Sequence, residues 1–328
     1  MRTIDWVDGA VELIDQTALP ARLTVLRLST VEELVAAIQR LAVRGAPALG
    51  VAGALGVALA AHQPGDVASA VRRLETARPT AVNLARGVRR AAARLPEGAD
   101  AVLAEALAVR DEEIAASEAM ARLGADLLAE LCGARPRLLT HCNTGALAAV
   151  VGGTALGAIL ELHRRDALGA VLASETRPLL QGARLTAWEL GRAGVPYRVA
   201  VDGAGPFLMA RGEVDAVVLG ADRICANGDV VNKIGTYAHA LGARRAGIPF
   251  VVVAPESTVD LDTADGAQVE IEDRGAAEVL RYGGNPEADP GPDTVDAVNP
   301  AFDVTPYELV TAIVTERRVI RLDRGERV

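Results

Sequence analysis

Over the first 30 residues apolar and polar positions alternate weakly, and Val11-Glu12-Leu13-Ile14 and Leu23-Thr24-Val25-Leu26-Arg27-Leu28 are candidate strands of a small antiparallel piece. The spacing then becomes helical. Thr30 and Glu33 stand at capping-box distance ahead of Leu34, Ile38 and Leu41, which predicts a helix that stops near Arg44-Gly45. Further helical patterns cover 47–62, 67–77, 80–95 and 99–131, separated by turn signals such as Gln63-Pro64-Gly65-Asp66 and Pro96-Glu97-Gly98.

After Gly133-Ala134-Arg135-Pro136 the pattern changes to short apolar runs alternating with helical stretches. Candidate strands are Arg137-Leu138-Leu139-Thr140 and residues 169–174, 197–201, 215–220 and 249–254, with helices near 145–165, 181–193, 205–211 and 235–247. Strands spaced by helices in this way imply βαβ units and a parallel sheet. The expected fold is therefore α/β: a mostly helical N-terminal domain with a small antiparallel sheet over 1–130, followed by a Rossmann-like parallel-sheet catalytic domain over 131–328. Residues 259–300, rich in Asp, Gly and Pro, read as a loop excursion before a last helix near 306–316 and a short apolar run at 319–322.

The glycines of Ala52-Gly53-Ala54-Leu55-Gly56 and Gly152-Gly153-Thr154-Ala155-Leu156-Gly157 lack the spacing of a dinucleotide fingerprint and read as helix-packing positions. Half of the 328 residues are hydrophobic, enough for a substantial core, and the formal charge of −9 leaves no basic field for nucleic acid or an anionic membrane. Any phosphate site must be local. Three cysteines and four histidines show no zinc-type spacing, so neither a disulfide framework nor a metal is expected. With acidic residues close behind the first Met and no long apolar stretch, the expectation is a cytoplasmic, reduced protein that does not cross a membrane.

The candidate chemistry lies where apolar runs end. Thr140-His141-Cys142-Asn143-Thr144-Gly145 and Gly220-Ala221-Asp222-Arg223-Ile224 each follow a predicted strand, and ligands of open parallel sheets bind beyond the carboxyl ends of strands. Cys142 is either a small buried hydrophobe or, at the start of a helix, a thiol favoured as thiolate by backbone N–H groups; Cys132 and Cys225 lack polar company and read as structural. Asp222 is either a helix cap or a carboxyl that apolar surroundings tune for acid–base work. Arg44 is expected at a helix end. Glu175 and Arg177 either pair with each other or belong to a further polar cluster with Gln181. Lys233 is the one lysine among 34 basic residues.

Taken together, these segments resemble the methylthioribose-1-phosphate isomerases, within the wider family of sugar-phosphate isomerases and initiation factor 2B regulatory subunits. The resemblance rests on Val43-Arg44-Gly45-Ala46-Pro47-Ala48, Arg78-Pro79-Thr80-Ala81-Val82-Asn83-Leu84, the Cys142 and Asp222 segments, Glu175-Thr176-Arg177-Pro178 with Gln181, Asn232-Lys233-Ile234-Gly235-Thr236 and Asn299-Pro300-Ala301-Phe302-Asp303. It implies Cys142 and Asp222 as catalytic residues and Arg44, Gly45, Ala46, Arg90, Gln181, Asn232 and Lys233 as substrate contacts. It further implies a homodimer that isomerises a furanose 1-phosphate without cofactor or metal. S-Methyl-5-thioribose 1-phosphate is the first substrate, ribose 1,5-bisphosphate and 5-deoxyribose 1-phosphate are the runners-up, and a non-catalytic regulatory protein is the alternative of another class. At Asp202-Gly203-Ala204-Gly205-Pro206-Phe207 the chain departs from the family pattern, next to where the 5-substituent is expected.

Overall fold

The computed structural model describes residues 2–79, 81–280 and 296–328. Strands β1 (Ile4–Val7), β2 (Ala10–Ile14) and β3 (Val25–Leu28) form an antiparallel sheet, with Trp6 opposite Val11 and Leu13 opposite Leu26. Helix α1 (Val31–Gln39) starts on the predicted box: Thr30 Oγ1 accepts from Glu33 N, and the Glu33 carboxylate accepts from Thr30 N. It ends at Gln39, so Arg44 belongs to the turn before the next helix and not to a helix end.

Helix α2 (Ala46–Ala61) is apolar on every side and accordingly buried on every side, packed against α3 (Val67–Thr76), α4 (Val82–Ala92) and the 34-residue α5 (Ala99–Cys132). Gly53 does serve packing, lying against Leu84 and Val88 of α4, whereas Gly152 and Gly153 form a turn with positive φ. Helix α5 belongs to two cores. Val102, Ala106 and Val109 pack with the N-terminal helices, and Met120, Ala125 and Leu128 pack under the large sheet.

That sheet is built from β4 (Arg137–Thr140), β5 (Ala170–Ser174), β6 (Tyr197–Ala200) and β7 (Ala216–Leu219), with α6 (Ala155–Arg164), α7 (Ala187–Arg192) and α8 (Ala204–Ala210) between them. The chain then leaves it for β8 (Arg223–Cys225) and β9 (Val230–Lys233), and returns through α9 (Thr236–Ala246) to β10 (Phe250–Val253). After β11 (Val259–Asp260), α10 (Ala276–Leu280) and β12 (Phe302–Thr305), it closes with β13 (Ala312–Val314) and β14 (Val319–Ile320). The sheet order is β14-β13-β10-β7-β4-β5-β6, parallel except for β14. Alternate residues face opposite layers, as the period of two requires: Leu138 and Val218 pack with α5 and α6, while Leu139, Val217 and Leu219 pack with α8 and α9.

Two elements differ from the pattern-based expectation. The segment 306–316 forms a short turn at Tyr307–Leu309 and then β13 in place of a helix, because Ala312, Ile313 and Val314 pair with Val251, Val252 and Val253 of β10. The second sheet, β11-β8-β9-β12, is assembled from the start of the expected loop excursion and from segments to which the pattern assigns no element, and its joining pairs are long-range, such as Phe302 with Lys233 and Asp303 with Asn232. Of the expected 259–300 excursion, positions 281–295 lie outside the described residues, as does Thr80.

Candidate functional site

From β4 the chain runs outward to β5 and β6, then crosses back to place β7 on the other side of β4. The strand order therefore reverses between β4 and β7, and a crevice opens beyond their carboxyl ends. Cys142 follows β4 and Asp222 follows β7, so both stand at this crevice, and both line one small chamber with Arg44, Gly45, Asn143 and Asn232. Gln181, Lys233, Arg78 and Arg274 close another side of the same chamber. Outward, past Gly45, Arg78, Asp222 and Phe302, it opens into a cavity of about 370 Å³.

Cys142 is buried, with φ at 61°, and no helix starts there; α6 begins only at Ala155. No helix N-terminus therefore stands behind the thiol, and the charged groups nearest to it are cations. Arg44 Nη2 lies 3.9 Å from Cys142 Sγ, and the Lys233 ammonium also feels the sulfur. The backbone of Cys142 is clamped from both ends: its N–H donates to Thr176 Oγ1 at 2.9 Å, and its carbonyl accepts from Thr186 Oγ1 at 2.6 Å. Thr176 and Leu180 share its left-handed backbone, with φ of 66° and 57°, so strained residues cluster around the thiol as they do where geometry is fixed for function.

Asp222 is open to the cleft yet ringed by protein. This crowding raises its pKa above 3.8, and the nearby charges of Lys233, Arg78 and Arg44 only partly offset the effect. Lys233 is buried at the end of β9, where its Nζ donates to Ala301 O at 2.7 Å and lies 4.7 Å from the Phe302 ring centre. Burial pulls its pKa below 10.5, while Cys142 and Asp222 oppose the shift. Gln181 is also buried, and its Oε1 has no partner. Asn232 donates to Thr236 Oγ1 at 2.9 Å.

Gly45 and Ala46 open α2, whose N-terminus points its free N–H groups at the chamber, a natural anion site. Only glycine fits at 45: φ is 92°, and a Cβ would stand 2.4 Å from Ala148 O.

Arg90 is the one expected contact that the structure does not bring here. It lies in the last turn of α4 and turns toward α5, where it holds Glu112 through two bonds of 2.5 and 2.7 Å and Glu105 through one of 2.6 Å. Arg78, in the connection before α4, is the cation that lines the cleft in its place, and it interacts with Asp222 and Glu272. It stands within the Arg78-Pro79-Thr80 run, where an arginine ahead of Pro was the available signal.

Glu189 was also missed. Its pKa is pushed up to about 7 by burial, and it accepts from Asn143 Nδ2 and Ala146 N, each at 2.7 Å. Glu175 and Arg177 do not pair: Arg177 Nη2 donates to Val279 O at 2.7 Å. Asp202 is no cleft residue either, since it anchors the loop after β5 by accepting from Thr176 N, Arg177 N and Ser174 Oγ.

The family model described as the Initiation factor 2 subunit family matches residues 42–321. The chain belongs to this family. Three relatives in it cover nearly the whole chain. The chain is 53% identical over 98% of its length to a Nocardia farcinica protein named "Probable bifunctional methylthioribose-1-phosphate isomerase/methylthioribulose-1-phosphate dehydratase", of which it spans 60%. It is 50% identical over 97% of its length to the 5-deoxyribose 1-phosphate isomerase of Moorella thermoacetica, covering 93% of that protein. It is 54% identical over 95% of its length to the methylthioribose-1-phosphate isomerase of Anaeromyxobacter sp. (strain K), covering 91%. Among solved structures, the 5-methylthioribose 1-phosphate isomerase of Pyrococcus horikoshii OT3 superposes with a TM-score of 0.88 at 39% identity, over 98% of this chain and 92% of that one.

Proposed function

We propose that the chain is an aldose–ketose isomerase of methionine salvage, converting S-methyl-5-thio-α-D-ribose 1-phosphate to S-methyl-5-thio-D-ribulose 1-phosphate. One observation carries the reading: a thiol and a carboxyl at adjacent strand ends share a chamber with Arg44, Arg78 and Lys233, in a protein that is otherwise acidic. A non-catalytic regulatory protein would need neither Cys142 nor Asp222.

A phosphate on C1 prevents the ring from opening as a free hemiacetal does, so an acid must assist cleavage of the ring C–O bond. Asp222, with its raised pKa, delivers that proton to the ring oxygen. Cys142, beside Arg44 and Lys233, takes the proton from C2 and returns it to C1 of the resulting enediol phosphate, while the Asp222 carboxylate takes the proton of the 2-hydroxyl, so that the C2 ketone forms and Asp222 regains its proton. The phosphate lies against Arg44, Lys233 and Arg78 at the start of α2, with Gly45 and Ala46 lending backbone N–H groups and Gln181 and Asn232 facing the sugar hydroxyls.

The outer cavity favours an apolar 5-substituent. Leu49, Val82, Val231 and Val269 line it, its acidic members are Asp222 at the inner end and Glu270, and its Arg223 is already paired with Asp260 at 3.0 Å. Among the described residues a 5-phosphate would meet there only Arg78, which this reading commits to the 1-phosphate, and the already paired Arg223. 5-Deoxyribose 1-phosphate remains the second reading, favoured by the Moorella relative.

The same proposal includes a helical domain over 1–130, a Rossmann-like catalytic domain over 131–328 and a cytoplasmic homodimer. Edge strand β6 exposes Tyr197 and Val199, Val201 is exposed just beyond it, and Phe207, Tyr237 and Leu241 are exposed on α8 and α9, an apolar surface suited to a second copy. The three cysteines are free, and no helix among the described residues is long and apolar enough to cross a membrane.

Incubating the purified protein with each of the three sugar phosphates, and following the ketose by proton NMR, tests the reading. Turnover is expected with the methylthio sugar. Its absence with all three overturns the assignment. Deuterium at C2 is expected to wash out into solvent, whereas quantitative transfer to C1 would replace the thiol route by a hydride shift.

A further inference from the structure

We propose that Glu189 is the positioning residue of the phosphate-binding cation: through the Asn143 amide it fixes where the Arg44 guanidinium points. The inference rests on the isomerase reading for the role of Arg44, but its geometry is independent of it.

Glu189 stands on α7, directly after a π-helical turn at Gly182–Thr186, and it is buried behind the loop that carries Cys142. Its two oxygens divide the work. Oε1 accepts from Asn143 Nδ2 and Oε2 accepts from Ala146 N, both at 2.7 Å. The carboxylate lies so close to Gly145 that a Cβ there would come within 2.4 Å of either oxygen.

Asn143 is itself buried, and its amide has two faces. Because an ionised carboxylate accepts and cannot donate, the NH₂ end must turn toward Glu189, which also places it 3.3 Å from Thr186 Oγ1. The carbonyl end is thereby forced toward Arg44, where Oδ1 accepts from Nη1 at 2.9 Å while the Asn143 backbone carbonyl accepts from Nη2 at 3.1 Å. The guanidinium is held from two sides, 3.9 Å from the Cys142 sulfur. Glu189 touches neither the chamber nor the sulfur, so its contribution passes through Asn143.

A swap tests the chain of contacts. In Glu189→Gln a side-chain NH₂ confronts either Asn143 Nδ2 or Ala146 N–H, and Asn143→Asp alone sets two carboxylates against each other. In the double variant Glu189→Gln/Asn143→Asp the bonds to Ala146 N and to Arg44 and the link between the two side chains are restored, with the charge moved one contact closer to Arg44 and only the long 3.3 Å donation to Thr186 Oγ1 lost. The amide introduced on α7 accepts from Ala146 N and donates to the carboxylate introduced after Cys142, whose other oxygen meets Arg44.

With the methylthio sugar phosphate at pH 8, each single variant is expected to raise KM by roughly tenfold or more, with kcat changing less than about threefold and inhibition by inorganic phosphate weakening in parallel. The double variant is expected to return KM to within about threefold of wild type. Where Glu189→Gln fails to fold, as judged by its melting curve, Asn143→Ala is expected to give the same rise. KM and phosphate inhibition within twofold of wild type in the single variants, or a loss that the double variant does not rescue, overturns the proposal. A wild-type enzyme without turnover overturns the isomerase reading instead, and unchanged phosphate inhibition in Arg44→Ala overturns the present proposal by removing Arg44 from the phosphate site.

Discussion

The Arg44 guanidinium lies 3.9 Å from the Cys142 sulfur, although 98 residues of chain separate them. Arg44 comes from the turn before α2 and Cys142 from the end of β4, so the contact joins the helical half of the molecule to its sheet. It sets the proposed anion site against the thiol proposed to react, and it makes several outcomes measurable.

Cys142→Ala is expected to reduce kcat by at least about two to three decades while leaving the melting transition within a few degrees, because the side chain faces the chamber and removing one sulfur there leaves little void. Cys132→Ala, remote from the cleft, should leave kcat unchanged. Near-normal turnover by folded Cys142→Ala would take the thiol out of the reaction.

For Asp222→Asn, turnover should vanish while calorimetric affinity for the sugar phosphate stays within about tenfold, since the amide keeps the shape but cannot deliver a proton. Loss of binding would instead assign the carboxyl to substrate recognition.

Among the arginines, Arg44→Ala and Arg78→Ala, together with Lys233→Ala, should each raise KM by about one to two decades, a charge-assisted contact being worth roughly 1.5–3 kcal/mol. Arg90→Ala should leave KM within about threefold and lower stability by about 1 kcal/mol through loss of its bonds to Glu105 and Glu112. Steady-state kinetics on the four variants decides between Arg78 and Arg90 as the substrate contact.

Gly45→Ala is expected to destabilise the protein by at least about 1–3 kcal/mol, since alanine is strained at φ 92° and its Cβ collides with Ala148. Because the same shift moves the start of α2, phosphate inhibition should weaken with it. Chemical denaturation and inhibition assays on this variant report the two effects separately.

A pH effect follows from Glu113, whose Oε2 is buried without a partner and whose pKa burial pushes from 4.5 to about 7, aided by Glu316. Between these values the folded chain holds a proton that the unfolded chain has lost. Stability therefore falls as pH rises from 4.5 through about 7, by up to about 3 kcal/mol. Glu113→Gln should shrink the difference between urea melts at pH 5 and pH 8; an unchanged difference would show that the carboxyl finds a partner in solution.

The sequence by itself determined helices α1 to α5, strands β4, β5, β6, β7 and β10 of the large sheet and the polar ends at Cys142 and Asp222, because these are written locally: the period of apolar residues names the element, and a polar residue just past a buried strand marks its carboxyl end. The capping box at Thr30 and Glu33 is legible for the same reason. Only the tertiary structure decided what depends on how elements meet. The phase of α4 against α5 turned Arg90 to Glu105 and Glu112 and left the cleft to Arg78. Pairing with β10 drew 312–314 out of a helix and into a sheet, and partners some 70 residues apart made Lys233 and Phe302 neighbours on the second sheet. The carboxylate behind Asn143 was hidden likewise, for a side chain 46 residues away in sequence becomes a hydrogen-bond partner only once β4 and α7 are packed together.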